Sequence, residues 1–286
     1  MIGYITEDTI NLFDTDTNTM LRQINHNDVI NFKFSPDGLK FLSGSNDGQV
    51  KLFDTYTGEE LGNFKNNGFI RFFNFSTDGS KFLFGSYNLK VYNTDTLEFL
   101  MEKSAELYFT SVSFNHAGDK IICADCFNCK IFDLNTAETL KTINSTGIIN
   151  LFFTNDDKHF YIINYSTLYF YNSETYEEEF SFRPGSIIKK AVISSDGSSL
   201  LYSCATEDIL REPIRIIDLN NREVIFELQC EVTLNSLCFN SDSTKIMFCN
   251  NNVKILDLET NTYSFESRYK FTYCAEFQPQ IIGSYM

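Results

Sequence analysis

A pair of residues recurs along the chain at a nearly constant interval and limits the folds available to it. In each pair an apolar or aromatic residue ends a short apolar run and is followed by Asp or Asn. The seven pairs are Phe13-Asp14, Phe53-Asp54, Tyr92-Asn93, Phe132-Asp133, Tyr171-Asn172, Ile217-Asp218 and Leu256-Asp257. Successive pairs lie 40, 39, 40, 39, 46 and 39 residues apart. This regularity predicts one structural unit repeated along the whole chain.

Residues 29–64 show what one unit contains. Four short apolar segments, at 29–34, 40–45, 50–53 and 60–64, are separated by turns that include Pro36-Asp37-Gly38 and Asn46-Asp47-Gly48. Segments bounded by such turns predict consecutive antiparallel hairpins. A four-stranded meander of this size cannot close a core alone, so each unit must pack against its neighbours.

The repeat predicts an all-β fold, a seven-bladed β-propeller that forms a single domain over residues 1–286. The chain opens with a third strand at 11–14 and a fourth at 19–24, and it closes with a first strand at 271–277. The seventh blade is therefore expected to be shared between the termini, from about 1–24 plus 271–286. Two segments, 1–5 and 281–285, are candidates for its second strand.

These repeats resemble the WD-repeat family of propellers, and the resemblance covers nearly the whole chain. The Trp-Asp pair of that family is never intact here, because the chain has no Trp and Phe, Tyr, Ile or Leu takes its place. The family's Gly-His before a first strand survives only as Asn25-His26. The resemblance implies an interaction scaffold, and it is specific for the fold rather than for a partner.

The same resemblance implies a buried chain of hydrogen bonds inside the first complete unit. WD-repeat proteins build it from a His, a hydroxyl of the second strand, an Asp of the next turn and the Trp. His26, Ser43 or Ser45, and Asp47 stand at the corresponding positions, whereas Phe53 replaces the Trp and has no hydrogen to donate. This network is expected to stabilise the fold.

Charge and composition restrict the partners. The net charge is −15, and a binder of nucleic acid needs a basic surface, so direct nucleic-acid binding is disfavoured. The first ten residues have no basic region followed by an apolar run, and no apolar stretch approaches the roughly 20 residues of a membrane span. We therefore expect an intracellular protein, cytoplasmic or nuclear, that does not enter a membrane.

Catalytic and metal-binding motifs are weak. Cys123, Cys126 and Cys129 have a spacing that can chelate zinc, but they span a hairpin turn and no fourth ligand is close in sequence. We interpret them as small apolar thiols, and we expect all eight Cys to be reduced. Neither His116 nor His159 accompanies a nucleophile motif, and no phosphate-binding Gly loop occurs. We therefore predict no metal, no cofactor and no enzymatic activity.

The candidate partner surface comes from the loops that lead into the first strands. Propeller geometry places these loops together on one face. The residues expected there are Asp28, Phe69, Arg71, Tyr87, Tyr108 and Phe271. Aromatic and Arg side chains supply much of the energy of protein interfaces. The alternative is that these rings turn inward and pack between blades.

A longer loop explains the 46-residue interval. Residues 205–213 connect the second and third strands of the fifth unit, where other units have a tight turn. This loop is either a secondary contact, through Glu207, Asp208 and Arg211, or a tolerated insertion.

The function predicted from the sequence is a non-catalytic protein–protein interaction scaffold. We expect a monomeric propeller that works within a larger complex of proteins or peptides. Two alternatives remain open at this point. The acidic charge favours a reader of basic peptides or histone tails, and a propeller enzyme would need convergent polar groups in the channel.

Overall fold

A computed structural model describes residues 1–6, 8–14, 17, 19–105, 107–154, 156–194, 196–205, 212–230, 233–249, 252–266 and, for the backbone only, 272–277. Within these residues the fold is all β, with four-stranded antiparallel sheets as the repeated element and no helix. There are seven such sheets, which confirms the predicted seven-bladed β-propeller. The described part of the chain accordingly has no helix with the length and hydropathy that crossing a bilayer requires.

One compact unit comprises Met1–Lys65 together with Leu234–Met286. It holds blade 7, blade 1 and blade 6. Its strands are β1 (Ile2–Thr6), β2 (Thr9–Asp14), β3 (Thr19–Asn25), β4 (Val29–Phe34), β5 (Lys40–Ser45), β6 (Gln49–Asp54), β7 (Glu60–Lys65), β24 (Ser236–Phe239), β25 (Lys245–Cys249), β26 (Val253–Asp257), β27 (Thr262–Glu266) and β28 (Thr272–Phe277).

Blade 7 is shared between the two termini, as predicted. Its strand order is β28-β1-β2-β3, so the C-terminal part supplies the first strand and the N-terminal part supplies the other three. Ile2 pairs with Phe277 on one side and with Phe13 on the other. Of the two candidates for the second strand, the N-terminal segment therefore occupies the position, while residues 281–285 lie outside the described residues.

The other compact unit, Asn66–Thr233, holds blades 2 to 5. Its strands are β8 (Phe72–Phe75), β9 (Lys81–Gly85), β10 (Asn88–Asn93), β11 (Phe99–Ser104), β12 (Ser111–Phe114), β13 (Lys120–Ala124), β14 (Asn128–Asp133), β15 (Thr139–Asn144), β16 (Ile148–Phe153), β17 (His159–Asn164), β18 (Leu168–Asn172), β19 (Glu178–Phe182), β20 (Ile188–Ile193), β21 (Ser199–Cys204), β22 (Ile214–Asp218) and β23 (Glu223–Leu228). That residues 1–286 form one domain stays a prediction.

The Asp or Asn that recurs at the end of each third strand stabilises the turn between the third and fourth strands. Asp54 Oδ1 accepts hydrogen bonds from the backbone N–H groups of Tyr56 (2.9 Å) and Thr57 (2.7 Å). The Gly58 N–H then bonds to the Asp54 carbonyl, and Gly58 adopts a left-handed φ of 73°. The side chain thus replaces a backbone acceptor and fixes the turn, which is why the sequence needs Asp or Asn there.

The core of each unit lies between neighbouring blades. In the unit of blades 2 to 5, Phe72 of β8 packs edge-on against Phe109 at 6.2 Å, and both belong to a cluster with Val112 and Ile121 of blade 3. In the other unit, Ile10 of blade 7 belongs to one cluster with the β4 and β5 side chains of blade 1. The chain has no Trp, but its abundant Phe side chains fill the spaces between blades, so the blades are well packed without it.

Each blade has two chemically different ends. The hairpin turns that join first to second and third to fourth strands lie at one end, which we name the turn end. The second-to-third turns and the connections between blades lie at the other end, which we name the loop end. In the unit of blades 2 to 5, backbone bonds link successive loops at the loop end, such as Phe109 N–H to the Ser86 carbonyl at 2.8 Å.

Candidate functional site

Four of the predicted partner residues come together at the loop end of blades 2 and 3. We name Phe69, Arg71, Tyr87 and Tyr108 the aromatic cluster. The Arg71 Cζ lies 3.8 Å from the ring centroid of Tyr108 and 4.9 Å from that of Phe69. The Tyr87 ring meets both rings edge-on, at 6.5 Å from Phe69 and 6.4 Å from Tyr108. A guanidinium over aromatic faces is a favourable cation–π contact.

Backbone hydrogen bonds hold the loops that carry these side chains. The Arg71 N–H donates to the Gly85 carbonyl at 2.9 Å, which places the entry of β8 beside the end of β9. The Ala105 N–H donates to the Tyr87 carbonyl at 2.9 Å and ties the next connection to the same turn. A Cβ at Gly85 would lie 1.9 Å from the Asn88 carbonyl oxygen, so the turn that presents Tyr87 requires glycine.

Two of the three rings in the aromatic cluster, those of Phe69 and Tyr87, face solvent rather than the core. Phe69 is 39% exposed and Tyr87 is 47% exposed, whereas the neighbouring Ile70 and Phe109 are buried. Sequence neighbours therefore divide between core and surface. Of the rings for which the sequence left inward packing open, Phe69 is exposed, Tyr108 is half-buried, and Phe271 lies outside the described residues.

Exposed apolar residues continue along the loop end of this unit. They are Leu107, Phe127, Tyr165 and Ile187. The Ser145 N–H donates to the Phe127 carbonyl, and the Ile188 N–H donates to the Tyr165 carbonyl, so each of these loops is tied to the next. Among the tight second-to-third turns, the sequence predicted a contact residue only at Tyr87. Phe127 and Tyr165 stand at the same position in blades 3 and 4, and this recurring aromatic residue is a sequence signal for both.

A thiol lies beside the aromatic cluster. Cys126, in the turn that follows β13, lies near the Tyr108 hydroxyl and raises the pKa of that phenol above its ordinary value. Cys123 and Cys129 are instead buried in β13 and β14, and burial raises the pKa of both thiols. In the described part of the chain no three His, Cys, Asp or Glu side chains gather in a group that could hold a metal ion.

Charges are distributed unevenly over the two ends of blades 2 to 5. The described charged residues of the loop-end connections are Arg71 and Arg183, which are exposed, and Asp125 and Glu212, which are buried. Glu106, Glu207, Asp208, Arg211 and Glu231 also fall in these connections but lie outside the described residues. The described acidic side chains in the turns of the turn end are Asp78, Asp95, Glu98, Asp119, Glu138, Asp156, Asp157, Glu174, Glu177 and Asp196.

The remaining predicted contact residues have different outcomes. Asp28 is exposed in the loop before β4, with a left-handed φ of 53°, and its N–H donates to the Asp8 carboxylate at 2.7 Å. Phe271 lies outside the described residues, as do Glu207, Asp208 and Arg211 of the 205–213 loop. That loop leaves β21 at Cys204 and enters β22 at Ile214.

The residues of the expected internal network form two separate pairs in blade 1. His26 Nδ1 lies 2.7 Å from Ser43 Oγ, and Ser45 Oγ donates to Asp47 Oδ1 at 2.5 Å. Burial lowers the pKa of His26 to about 4, and the nearby Lys51 acts in the same direction. Ser43 is therefore the hydroxyl that meets the His, whereas Ser45 and Asp47 cap the turn before β6.

Comparison with known proteins agrees with the fold. The sequence profile of the family described as WD domain, G-beta repeat matches residues 18–54, which span the end of blade 7 and most of blade 1. No curated protein matches the chain significantly. The matched WD repeat and the fold of seven four-stranded antiparallel blades together support a WD-repeat β-propeller.

Proposed function

We propose that this protein is a non-catalytic interaction scaffold that binds a partner protein or peptide through the aromatic cluster. WD-repeat propellers generally serve as protein-interaction scaffolds. The observation that carries the proposal is the position of Arg71 over the exposed ring of Phe69 and the half-buried ring of Tyr108. Tyr, Arg and large apolar side chains grouped on a held backbone are the residues from which interface hot spots are built.

The apolar continuation of the loop end supports the same proposal. Leu107, Phe127, Tyr165 and Ile187 are each between 46% and 56% exposed. Contiguous exposed apolar residues on a folded protein mark interaction surfaces, whereas scattered ones are ordinary. A partner that covered the aromatic cluster and these four side chains would remove their apolar surface from water, and this burial favours association.

The two alternative functions, a reader of basic peptides or histone tails and a propeller enzyme, have less support at this surface. A reader of basic peptides would use carboxylates, and the exposed ones that the structure describes in this unit lie at the turn end and on the outer strands rather than in the loop-end connections. At the turn end, Asp156 and Asp196 already accept hydrogen bonds from Thr154 and Ser194, and these bonds lower the pKa of each carboxyl. An enzyme would need a positioned base, and the aromatic cluster contains neither His nor carboxylate.

The net charge of −15 supports a protein partner over nucleic acid, and we propose an intracellular setting, cytoplasmic or nuclear, for a monomeric propeller within a larger complex. The loop 205–213 is proposed as a secondary contact. These statements extend the proposed function and depend on it.

The test is capture of partners from native lysate by the full chain and by the double variant Phe69→Ala/Tyr108→Ala. The matched control is Leu100→Ala/Leu140→Ala, which removes exposed apolar side chains from the outer strands of the same two blades. The cluster variant is expected to lose the main partner and the control to keep it. Equal melting temperatures establish that both variants are folded.

Two results would contradict the proposal. If the cluster variant folds and captures the partner as well as the unaltered protein does, the site lies elsewhere. If it unfolds, the rings contribute to the core and not to a partner surface.

A further inference from the structure

The side-chain N–H groups of Arg71 are available as hydrogen-bond donors. Its backbone N–H is bonded to Gly85, and its Cζ lies over two rings. Among the residues that the structure describes, no carboxylate or carbonyl accepts a hydrogen bond from its side chain. An exposed guanidinium carries five N–H donors, and here they are left for water or for a partner.

The rings determine where those donors point. A guanidinium that stacks on an aromatic face keeps its N–H bonds in its own plane, so they leave along its edge and away from the rings. A planar edge with two parallel N–H bonds matches a carboxylate, which accepts both at once. Contact with Phe69 and Tyr108 also fixes the side chain in advance, which reduces the entropy lost on binding.

The surroundings of Arg71 suit an anion beside an apolar group. In the described connections of this loop end the exposed charged residues are Arg71 and Arg183, while Asp125 and Glu212 are buried. An arriving carboxylate would therefore meet no exposed like charge among these residues, although the whole chain has a net charge of −15. The exposed rings of Phe69 and Tyr87 lie next to the same guanidinium and offer apolar contact.

We propose that the aromatic cluster binds a partner segment that carries an Asp or Glu side chain next to an apolar residue. The carboxylate pairs with the edge of the Arg71 guanidinium, and the apolar side chain packs on the rings of Phe69 and Tyr87. This inference rests on the proposed function and gives its partner a chemical class. It differs from the reading of the acidic charge as a sign of a basic partner.

The probe is a displayed library of random linear peptides of about twelve residues, selected on the full-length chain. Enriched peptides are expected to share an Asp or Glu within two positions of an aromatic or aliphatic residue. Arg71→Gln is expected to lower the affinity of the protein for an enriched peptide by about tenfold or more, since it removes one partner of a charged pair. The matched control Arg183→Gln, which changes the other exposed arginine of this end, is expected to leave affinity within about twofold.

A double-mutant cycle assigns the contact. Replacing the peptide's Asp by Asn, or its Glu by Gln, should weaken binding to the unaltered protein but change little in binding to Arg71→Gln. Enriched peptides without a carboxylate, independent losses in the cycle, or failure to enrich any sequence would each overturn the inference. At least about tenfold tighter binding of a phosphoserine peptide would overturn it too, because the anion would then be a phosphate.

The two proposals fail in different ways. If enriched peptides lack a carboxylate but lose affinity for Phe69→Ala/Tyr108→Ala, the cluster is a docking site and only the partner class is wrong. If no enriched peptide depends on Phe69 and Tyr108, both proposals are wrong.

Discussion

At the scale of single residues, His26 shows how burial sets the chemistry of a side chain. Only 3% of its surface is exposed, and its Nε2 has no hydrogen-bond partner in the described part of the chain. A charged imidazolium would be costly there, so the folded protein holds His26 neutral, with a pKa of about 4 against an ordinary 6.5. The residue therefore links stability to pH.

Because the pKa of His26 is lower in the folded protein than in the unfolded chain, stability falls as the pH falls. Because the unfolded chain binds the proton more readily than the folded one, the stability contributed by neutral His26 is present above pH 6.5 and is lost as the pH falls toward 4. We expect the unaltered protein to lose roughly 3 kcal/mol over that range relative to His26→Ala. Urea titrations of both proteins at several pH values measure the difference.

At neutral pH, His26→Ala is expected to lower the free energy of unfolding by about 1–3 kcal/mol, because the buried Ser43 hydroxyl loses the imidazole. The control is His116→Ala, since His116 is exposed. An unchanged urea midpoint for His26→Ala would show that the contact contributes nothing.

The thiols provide a second prediction at this scale. All eight Cys should react in denaturant, whereas in the native protein Cys126 should react far faster than buried Cys123 and Cys129, whose pKa values burial raises. The measurement is the time course of labelling by a chromogenic thiol reagent. Cys126→Ser should remove one equivalent of the fast phase, and an unchanged number of fast-reacting equivalents would contradict the prediction.

At the scale of elements, one carboxylate joins two neighbouring blades at the turn end. Asp157, in the turn before β17 of blade 4, accepts hydrogen bonds from the backbone N–H groups of His116 (2.6 Å) and Ala117 (2.8 Å) in the turn of blade 3. Asn115 Nδ2 donates to the same carboxylate at 3.1 Å. The turn of blade 3, Asn115-His116-Ala117-Gly118, has Ala where other blades have Asp, and Asn115 donates both to Asp119 of its own turn and to Asp157 of the neighbouring blade.

Asp157→Asn is expected to lower the free energy of unfolding by about 1–2 kcal/mol, since an amide offers one acceptor oxygen in place of two. Asn tolerates the left-handed φ of 56° at this position, so the backbone should be unchanged. The decisive measurement is amide hydrogen exchange, which should become faster at His116 and Ala117. The control Asp156→Asn changes a carboxylate whose bonds stay within its own turn, and it should leave both amides protected.

At the scale of the whole molecule, the two ends of the chain depend on each other. Blade 7 takes β28 from the C-terminal part and β1, β2 and β3 from the N-terminal part, and its side chains pack on both blade 1 and blade 6. An unpaired strand edge would expose backbone donors and acceptors if either end were removed.

Deleting Met1 to Leu21 removes β1, β2 and the start of β3, and deleting Tyr269 to Met286 removes β28. Either deletion is expected to abolish a single cooperative unfolding transition, because the blade that joins the termini loses its pairing. Circular dichroism and calorimetry measure the sharpness and midpoint of the transition. A truncated chain that melts as sharply and as high as the full chain would rule out this role for blade 7.

Local sequence determined the number and size of the blades. The Asp or Asn that ends each third strand fixes its turn through contacts two or three residues away, as at Asp54. The alternation of apolar segments and turns predicted the strands of blade 1 to within one residue, and the offset between first and third strands at the termini predicted the shared blade. These features could be predicted because short-range interactions decide them.

Only the tertiary structure decided which side chains meet. Ser43 and Ser45 are both buried on the same strand, and the position of His26 selects Ser43. Arg71 lies over Tyr108, 37 residues farther along the chain, because the loops of both residues are hydrogen-bonded to residues 85–87 of blade 2. Such contacts depend on the packing of distant segments, which periodicity does not encode. The sequence by itself thus determined the repeated architecture, and the packing of one blade on the next decided the chemistry of its surface.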